Sequence, residues 1–442
     1  MEQGTDFARY RWQVSIIIDR WFEAGYASMA RVIFIEYTRH SVSFREDGVA
    51  VLGELSVVNN MPVILRINGF IWEEAGAYLA HRANDVAIGL INIRTLHSIA
   101  WRLHAYLAFC EQEAIDPMLF GTRRDEKPTY RYYGYLIRQR RGDEKKRLMT
   151  STASARINAV VTFYRWLMTM GLLPDSARPF IPKRVYMYSH DNYGHAHAHP
   201  IISTDLVIRR GLQHGTVLEG RLYPVTRKIR DQLIRSAYEK SSPEFALMLD
   251  LGFRTGMRIQ TICGLTIKAL SLAYPGDILG THYLRVGPKN GVPTKLGVNY
   301  TVQIPSELLE RLWSYVSSSR RSLRGAQSKP EDGNLIFLTR FGLSYCPTGR
   351  DSSTSINQEL HRLRNRHPDL DLRDFHFHCT RATFGTSIVL AGLESGERVD
   401  KVVNRVRQLL GHKRSETSLA YIKFVEELRT NSAIDSSIVT SL

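Results

Sequence analysis

The spacing of apolar residues changes along this chain and divides it into regions of different secondary structure. Two runs near the start, Arg31-Val-Ile-Phe-Ile-Glu-Tyr37 and Pro62-Val-Ile-Leu-Arg-Ile67, are rich in β-branched residues and predict strands. The stretch Trp72–Arg82 has a helical pattern. We therefore expect a mixed α/β extension over residues 1–91, whose residues indicate no particular chemistry.

From residue 92 the apolar period becomes helical. Apolar side chains recur every three to four positions between Leu96 and Cys110, and Thr95 is the expected N-cap of this helix. Two further helices are expected over 130–141 and 155–170, the second ended by Gly171. Residues 92–173 are thus predicted to form a small helical domain.

The charge balance indicates a polyanionic partner. The 59 Lys and Arg residues exceed the 43 Asp and Glu residues, which gives a formal net charge of +16. Part of this excess lies in the basic run 138–147, which follows a cluster of tyrosines in the helical region. Cations next to aromatic rings are typical of surfaces that contact nucleic-acid phosphates. The charge balance alone leaves nucleic acid, a membrane surface and acidic proteins open as partners.

The rest of the chain is expected to hold a linker and a second domain. Residues 174–225 lack a clear period and are rich in Pro, Gly, His and polar residues, which favours a linker. Helical patterning returns at Thr226 and continues through residue 442, and two β-like runs within 283–304 predict a hairpin. The predicted fold class is therefore mainly α with a small β-hairpin, an α+β protein.

The cysteines and the apolar runs limit the class of protein further. Cys110, Cys263, Cys346 and Cys379 form no close pair, which argues against a zinc ribbon and a disulfide framework. No apolar run reaches the roughly 18 residues of a membrane helix, and the first residues do not resemble a signal peptide. We expect a cytoplasmic protein with no membrane partner.

The last third of the chain contains the residue types needed to break a phosphodiester without a metal. Such chemistry requires cationic forks for the phosphate oxygens, a nucleophile, and a proton donor for the leaving oxygen. These residue types occur in a fixed order: Arg258 in Thr-Gly-Met-Arg, Lys289 in the hairpin, His378 and Arg381 in His-Cys-Thr-Arg, His412 in Leu-Gly-His, and Tyr421.

This ordered set resembles the catalytic domain of the tyrosine recombinases, the family of lambda integrase, Cre and the Xer proteins. The similarity covers roughly residues 226–430, and a weaker one covers the helical region 92–173. Tyr421 follows His412 by nine residues, the interval at which the family has its nucleophile. Two positions depart from the family. Thr261 stands where an acidic residue is frequent, and the stretch 392–400 is expected to hold a loop insertion.

The resemblance implies a role for each residue and needs no metal or cofactor. Arg258 and Arg381 would clamp the scissile phosphate, with His412 donating a hydrogen bond to it. Tyr421 would attack the phosphorus with His378 as the general base. Lys289 would protonate the departing 5′ oxygen, with Lys295 as the alternative. The product would be a 3′-phosphotyrosyl enzyme.

The resemblance also implies partners. The family recombines DNA in a synapse of four protomers on two duplexes, so double-stranded DNA and a homotetramer are the expected partners. Accessory proteins are further candidate partners, and the cytoplasm of a prokaryote, at its nucleoid, is the expected location. The target sequence and the direction of the reaction are not encoded in any motif.

Three rival functions remain open at this stage. One is a metal-dependent tyrosine endonuclease of the HUH type, which would use His195, His197 and His199, or His376 and His378. Another is a DNA-binding relative that has lost catalysis. The third is a type IB topoisomerase, which has a similar pocket.

Overall fold

The computed structural model describes residues 30–44, 50–141, 147–190, 196–209, 216, 218–219, 222–346 and 353–440. The chain divides into two compact units, Met1–Arg210 and Gly211–Leu442. None of the described helices combines the length and the apolar character that crossing a bilayer requires.

The described residues of the first unit form two pairs of strands and four α-helices. In chain order they are β1 (Arg31–Phe44), β2 (Ala50–Leu65), α1 (Glu73–Ala87), α2 (Ile93–Gln112), α3 (Pro128–Arg141), α4 (Thr150–Thr169), β3 (Pro182–His190) and β4 (Ala196–Thr204).

Both hairpins of the first unit are antiparallel. The pairing of β1 with β2 runs from Arg31 opposite Leu65 to Phe44 opposite Ala50, with two irregularities between Ile35 and His40. The paired strands β3 and β4 lie within the stretch 174–225 that was expected to be a linker without regular structure. The basic run 138–147 is described only in part, because residues 142–146 lie outside the described residues.

A single aromatic core spans the first unit. Trp72, Tyr106 and Tyr164 are almost fully buried, and the phenol groups of the two tyrosines are 2.6 Å apart. Buried residues from Ala30 to Ile208 belong to this core, so the expected domain boundary between residues 91 and 92 falls inside it. Helix α2 begins after Asn92, whose side chain accepts from the Arg94 backbone N–H, and not after Thr95 as expected.

The second unit is mainly helical. Its elements are α5 (Arg227–Lys240), α6 (Pro243–Thr255), α7 (Ile259–Cys263), α8 (Ile267–Ser271), β5 (Tyr274–Pro275), β6 (Thr281–Val286), β7 (Tyr300–Pro305), α9 (Ser306–Val316), α10 (Ser319–Ala326), α11 (Thr354–Asn365), α12 (Cys379–Glu394), α13 (Val399–Leu410) and α14 (Ser415–Thr440). The predicted α+β class, mainly helical with small antiparallel sheets, is confirmed.

Helix α6 forms the centre of this unit and positions α12. Eleven of its residues are buried, which is the pattern of a helix packed on all sides. The helices approach closely because Gly252 has no side chain; a Cβ there would lie 2.7 Å from the Thr380 hydroxyl. This packing brings the first turn of α12 beside the end of α6.

The structure refines two predictions, one for the stretch between α12 and α13 and one for the hairpin. Helix α13 begins at Val399, shortly after α12 ends at Glu394, so the stretch 392–400 holds no long inserted loop. The predicted hairpin corresponds to β6 and β7, with β5 added at the edge of a three-stranded antiparallel sheet.

Candidate active site

The carboxylate of Glu219 lies at the centre of a cluster of cationic and hydrogen-bonding side chains in the second unit. The atoms and their distances to the nearest Glu219 oxygen are His412 Nε2 at 2.8 Å, Arg381 Nε at 3.0 Å, the Tyr421 hydroxyl at 3.0 Å, Arg258 Nη2 at 3.2 Å and His378 Nε2 at 3.6 Å. These five residues around Glu219 are called the Glu219 cluster below.

Arg258 is positioned by a glycine that ends α6. Gly256 caps the helix in the left-handed conformation with φ of 66°. A Cβ at Gly256 would lie 2.5 Å from the Phe384 ring and 2.6 Å from Leu410, so the packing also excludes a side chain. The chain then turns and Arg258 becomes the N-cap residue of α7.

Arg381 connects two helix ends to the cluster. Its side chain is fully buried on the first turn of α12. Nη1 donates to the carbonyl of Gly256 and Nη2 to the carbonyl of Leu410, each at 2.8 Å, while Nε donates to Glu219. Since these carbonyls end α6 and α13, the guanidinium fixes both helices relative to the carboxylate.

His412 is oriented by Ser418. Gly411, with φ of 61°, ends α13 and places His412 directly after it. The buried Ser418 hydroxyl lies 2.9 Å from Nδ1 of His412. Because an ionised Glu219 can only accept, Nε2 carries the proton of a neutral ring, and Nδ1 accepts from Ser418. Ser418 thus ties the imidazole to α14, the helix that carries Tyr421.

The Tyr421 side chain can occupy its position only because Gly385 has no side chain. Its ring is fully buried and packs over Gly385 of α12. A Cβ at Gly385 would lie 2.4 Å from the Tyr421 ring, closer than any real contact. The phenol O–H donates to Glu219 at 3.0 Å.

The two acidic groups of the cluster have opposite pKa shifts. Burial opposes ionisation of Glu219, but hydrogen bonds from His378 and His412 and the charge of Arg381 hold its pKa well below the usual range. Burial raises the pKa of Tyr421 far above 10.0, and the negative Glu219 adds to this shift. The phenol is therefore protonated at neutral pH and needs a proton acceptor before it can attack.

The basic groups are shifted mainly by burial. Desolvation lowers the pKa of both His378 and His412 from 6.5, although Glu219 acts against this shift. Both rings are therefore neutral at pH 7. Burial and the neighbouring Arg381 also lower the pKa of Arg258, which stays charged because its usual value is 12.5.

Neither candidate lysine joins the cluster. Lys289 and Lys295 lie between β6 and β7, and both side chains are exposed. Among the described residues no ion pair links either ammonium group to Glu219. The backbone N–H of Lys289 donates to Asn299 at 3.1 Å, which holds the peptide and leaves the side chain in solvent.

Glu219 was missed by the sequence analysis, since it lies in the stretch taken for a linker. Two leucines around it, Leu218 and Leu222, are buried in the core of the second unit. Such an apolar pair four residues apart was the available signal. Thr261, which replaces the frequent acidic residue, is itself buried.

The described residues offer no grouping of metal ligands. No set of three or more His, Cys, Asp or Glu side chains lies close enough to hold a metal ion in the described part of the chain. His195 and the side chain of His197 lie outside the described residues. His376 has different neighbours from His378. Its Nδ1 lies 2.9 Å from the Asp374 carbonyl and 3.2 Å from the Cys379 sulfur.

This set of side chains lies in a mainly helical domain with a small antiparallel sheet. A comparison with models of protein families gives a match within this domain. Residues 227–427, somewhat less than half of the chain, match the model of the phage integrase family.

Solved structures give more distant likenesses. The integrase of transposon Tn1549, in complex with circular intermediate DNA, is 12% identical with a TM-score of 0.47; the match covers 79% of this chain and 93% of that one. A lambda integrase dimer bound to a core site is 15% identical with a TM-score of 0.45, covering 79% and 95%. No curated protein gives a significant match.

Proposed function

We propose that this protein cleaves and rejoins DNA strands at specific sites through a covalent bond between Tyr421 and a 3′ phosphate. The observation that supports this most is the convergence of Arg258, Arg381, His412 and Tyr421 on one carboxylate. A carboxylate and a phosphodiester carry the same unit negative charge and accept the same donors. A group of donors that binds one is therefore chemically suited to the other.

The proposed reaction is an in-line displacement at phosphorus. The Tyr421 oxygen bonds to phosphorus, the bond to the 5′ oxygen breaks, and the phenolic proton passes to a base. Neutral His378 is the base we propose, since burial keeps its pKa below 6.5 and leaves a ring nitrogen able to accept a proton. Arg258 and Arg381 offset the charge that builds on the phosphate oxygens.

A proton must also reach the departing 5′ oxygen. We propose Lys289 for this step, with Lys295 as the alternative. Both are exposed in the DNA-free protein, so the hairpin would deliver the ammonium group only when DNA is bound. The rejoining step reverses these transfers: a 5′ hydroxyl attacks the phosphotyrosine and Tyr421 leaves. The phosphoester energy is conserved, so the reaction needs neither ATP nor a metal.

The basic helical region 92–173 of the first unit is the proposed second contact with duplex DNA. Its α3 helix ends in Arg138, Arg140 and Arg141. The family resemblance supports three further parts of this proposal. Four protomers assemble on two duplexes, accessory proteins take part, and the protein acts at a prokaryotic nucleoid.

The proposal can be tested without knowing the target sequence. A pool of duplexes with a randomised centre and a sulfur at the bridging 5′ position would be mixed with the protein in EDTA. Strand cleavage then releases a thiol that rejoins poorly, so covalent complexes accumulate, resist detergent and can be sequenced. We expect an enriched sequence with the wild-type protein and no complexes with Tyr421→Phe. Complexes that form in Tyr421→Phe, or that require a divalent metal, would contradict the proposal.

A further inference from the structure

The Glu219 carboxylate occupies the place where the proposed reaction needs a phosphate. One of its oxygens accepts from Arg381, His412 and Tyr421, and the other accepts from Arg258. These are the same four groups assigned above to the scissile phosphate and its attacker. Two unit negative charges cannot share one set of donors in a buried site. Glu219 and a bound phosphodiester are therefore mutually exclusive at this position.

The backbone at Glu219 is held in an unusual conformation. Its φ is 23°, a value that residues other than glycine rarely adopt. The turn is closed by the Leu222 N–H donating to the Leu218 carbonyl at 2.9 Å, and both leucines are buried. Nearby, the Thr216 N–H and hydroxyl donate to the two carboxylate oxygens of Glu427 on α14. Core packing thus holds a strained residue with its carboxylate inside the cluster.

The carboxylate does not satisfy all the donors around it. Nε of Arg258 is buried and has no hydrogen-bond partner among the described residues. A planar carboxylate offers two oxygens, which already accept from the other donors. A tetrahedral phosphate has four oxygens and can place one out of that plane. The free Nε is the donor that such a ligand would satisfy.

We infer that Glu219 is an internal competitor of the scissile phosphate, which holds the cluster assembled but closed in the DNA-free protein. This inference rests on the proposed function, because it assigns the displaced ligand as a DNA phosphate. The site takes a tetrahedral oxyanion, and binding requires the Glu219 carboxylate to leave. The same donors serve both anions, so the protonated Nε2 of His412 and the guanidinium groups keep their orientation during the exchange.

The experiment compares the binding of inorganic phosphate to the full-length wild type and to Glu219→Gln by titration calorimetry. Glutamine keeps the size of the side chain and removes its charge. We expect phosphate to bind Glu219→Gln at least tenfold more tightly than wild type. Glu219→Asp, which retains the charge, should stay within about threefold of wild type. Glu310→Gln removes one negative charge from an exposed position on α9 and should leave the affinity unchanged.

A second variant keeps the test valid if Glu219→Gln does not fold. Glu219→Gly also removes the carboxylate, and glycine tolerates the positive φ. The same gain in phosphate affinity is expected. Equal or weaker phosphate binding by the folded neutral variants would overturn the inference, because it would mean that the carboxylate does not compete.

A second measurement follows cleavage of the selected duplex at a DNA concentration below saturation. We expect Glu219→Gln to form the covalent complex several-fold faster than wild type. Loss of the complex in Glu219→Gln with recovery in Glu219→Asp would instead make Glu219 a working part of the active site, and the inference would be wrong. The phosphate titration does not depend on cleavage. If no variant ever forms a covalent complex, the proposed function fails, while the competition by Glu219 is still decided by the titration.

Discussion

The Glu219 cluster and the β6–β7 hairpin differ in how far each is assembled before DNA is present. Arg381 and Tyr421 are fully buried, and their polar atoms already have partners. Lys289 and Lys295 are exposed, and the connection that carries them contains positive φ at Gly287, Gly291 and Leu296, among others. The comparison indicates that the groups proposed to bind the phosphate are preorganised in the DNA-free protein, whereas the proposed proton donor is not in place.

The largest change in reaction rate is expected when Lys289, on the connection between β6 and β7, is replaced. Lys289→Ala should slow covalent complex formation on ordinary DNA by about 100-fold or more, since general acid catalysis contributes about 10²–10⁴. With sulfur in the bridging position the loss should nearly disappear, because a thiolate leaves without a proton. Rates on the two substrates, measured by denaturing gel electrophoresis, give the comparison.

Lys295→Ala is the matched control for this experiment, because both lysines are exposed on the same connection. We expect its rates to stay near those of the wild type on both substrates. If Lys295→Ala shows the substrate-dependent loss and Lys289→Ala does not, the roles of the two lysines are exchanged. A loss that sulfur does not rescue in either variant would remove the lysines from the proton-transfer step.

The next largest effect is expected at Gly385, which packs against the Tyr421 ring. Gly385→Ala puts a methyl group 2.4 Å from the Tyr421 ring and 3.1 Å from Leu410, so one of them must move. Overpacking of this kind costs about 1–3 kcal/mol of unfolding free energy. We expect a lower urea midpoint and covalent complex formation slowed by about tenfold, with a 1.4 kcal/mol barrier change per factor of ten.

Gly396→Ala is a suitable comparison for the packing effect, since no heavy atom lies within 4 Å of a Cβ built there, although its φ of +70° adds backbone strain. It should lower stability by a similar or smaller amount without slowing the reaction. An unchanged rate in Gly385→Ala would mean that the position of the Tyr421 ring is not critical.

A smaller effect is expected at Ser418. Ser418→Ala removes the hydroxyl that donates to Nδ1 of His412, a hydrogen bond worth about 0.5–1.5 kcal/mol. Because Ser418 then no longer holds the orientation of the His412 ring, covalent complex formation should slow by a few-fold. Ser418→Thr keeps the hydroxyl and should restore most of the rate. If both variants react equally, the hydrogen bond has no role in orienting His412.

The smallest effect is a pH dependence of stability. In the folded protein the pKa values of His378 and His412 lie below 6.5, so only the unfolded chain takes up protons as the pH first falls through 6.5. Stability should therefore decrease between about pH 7 and about pH 5, and Glu219 adds a further loss at lower pH. Thermal melting of His412→Gln should show a weaker decrease. An equal slope in both proteins would contradict the pKa direction given for His412.

The sequence predicted those parts of the molecule that depend on local spacing. The five side chains that surround Glu219 were all singled out because their motifs stand in a fixed order, whereas the structure does not bring Lys289 to them. The β6–β7 hairpin and most helices were found from their apolar periods. Helix α2 was predicted, but its N-cap is Asn92 and not Thr95. Ile93 is buried, and the helix already begins at this residue.

The parts that escaped prediction depend on tertiary packing. Glu219 reaches the cluster only because Leu218 and Leu222 enter a core built from distant helices, and one apolar pair four residues apart does not by itself predict that contact. The β3–β4 hairpin was missed although Asp191-Asn-Tyr-Gly194 has turn composition, since Pro200 and several histidines obscure the strand pattern. The single core of the first unit could not be inferred either, because its aromatic contacts join residues far apart in sequence.

The phenol of Tyr421 is proposed to attack a phosphorus held by the donors that now surround Glu219. Mass spectrometry of the covalent protein–DNA complex, after digestion with protease and nuclease, tests this attack directly. We predict a nucleotide 3′-phosphate on the peptide that contains Tyr421 and on no other peptide. A nucleotide on another tyrosine, or on a serine or histidine, would contradict the claim.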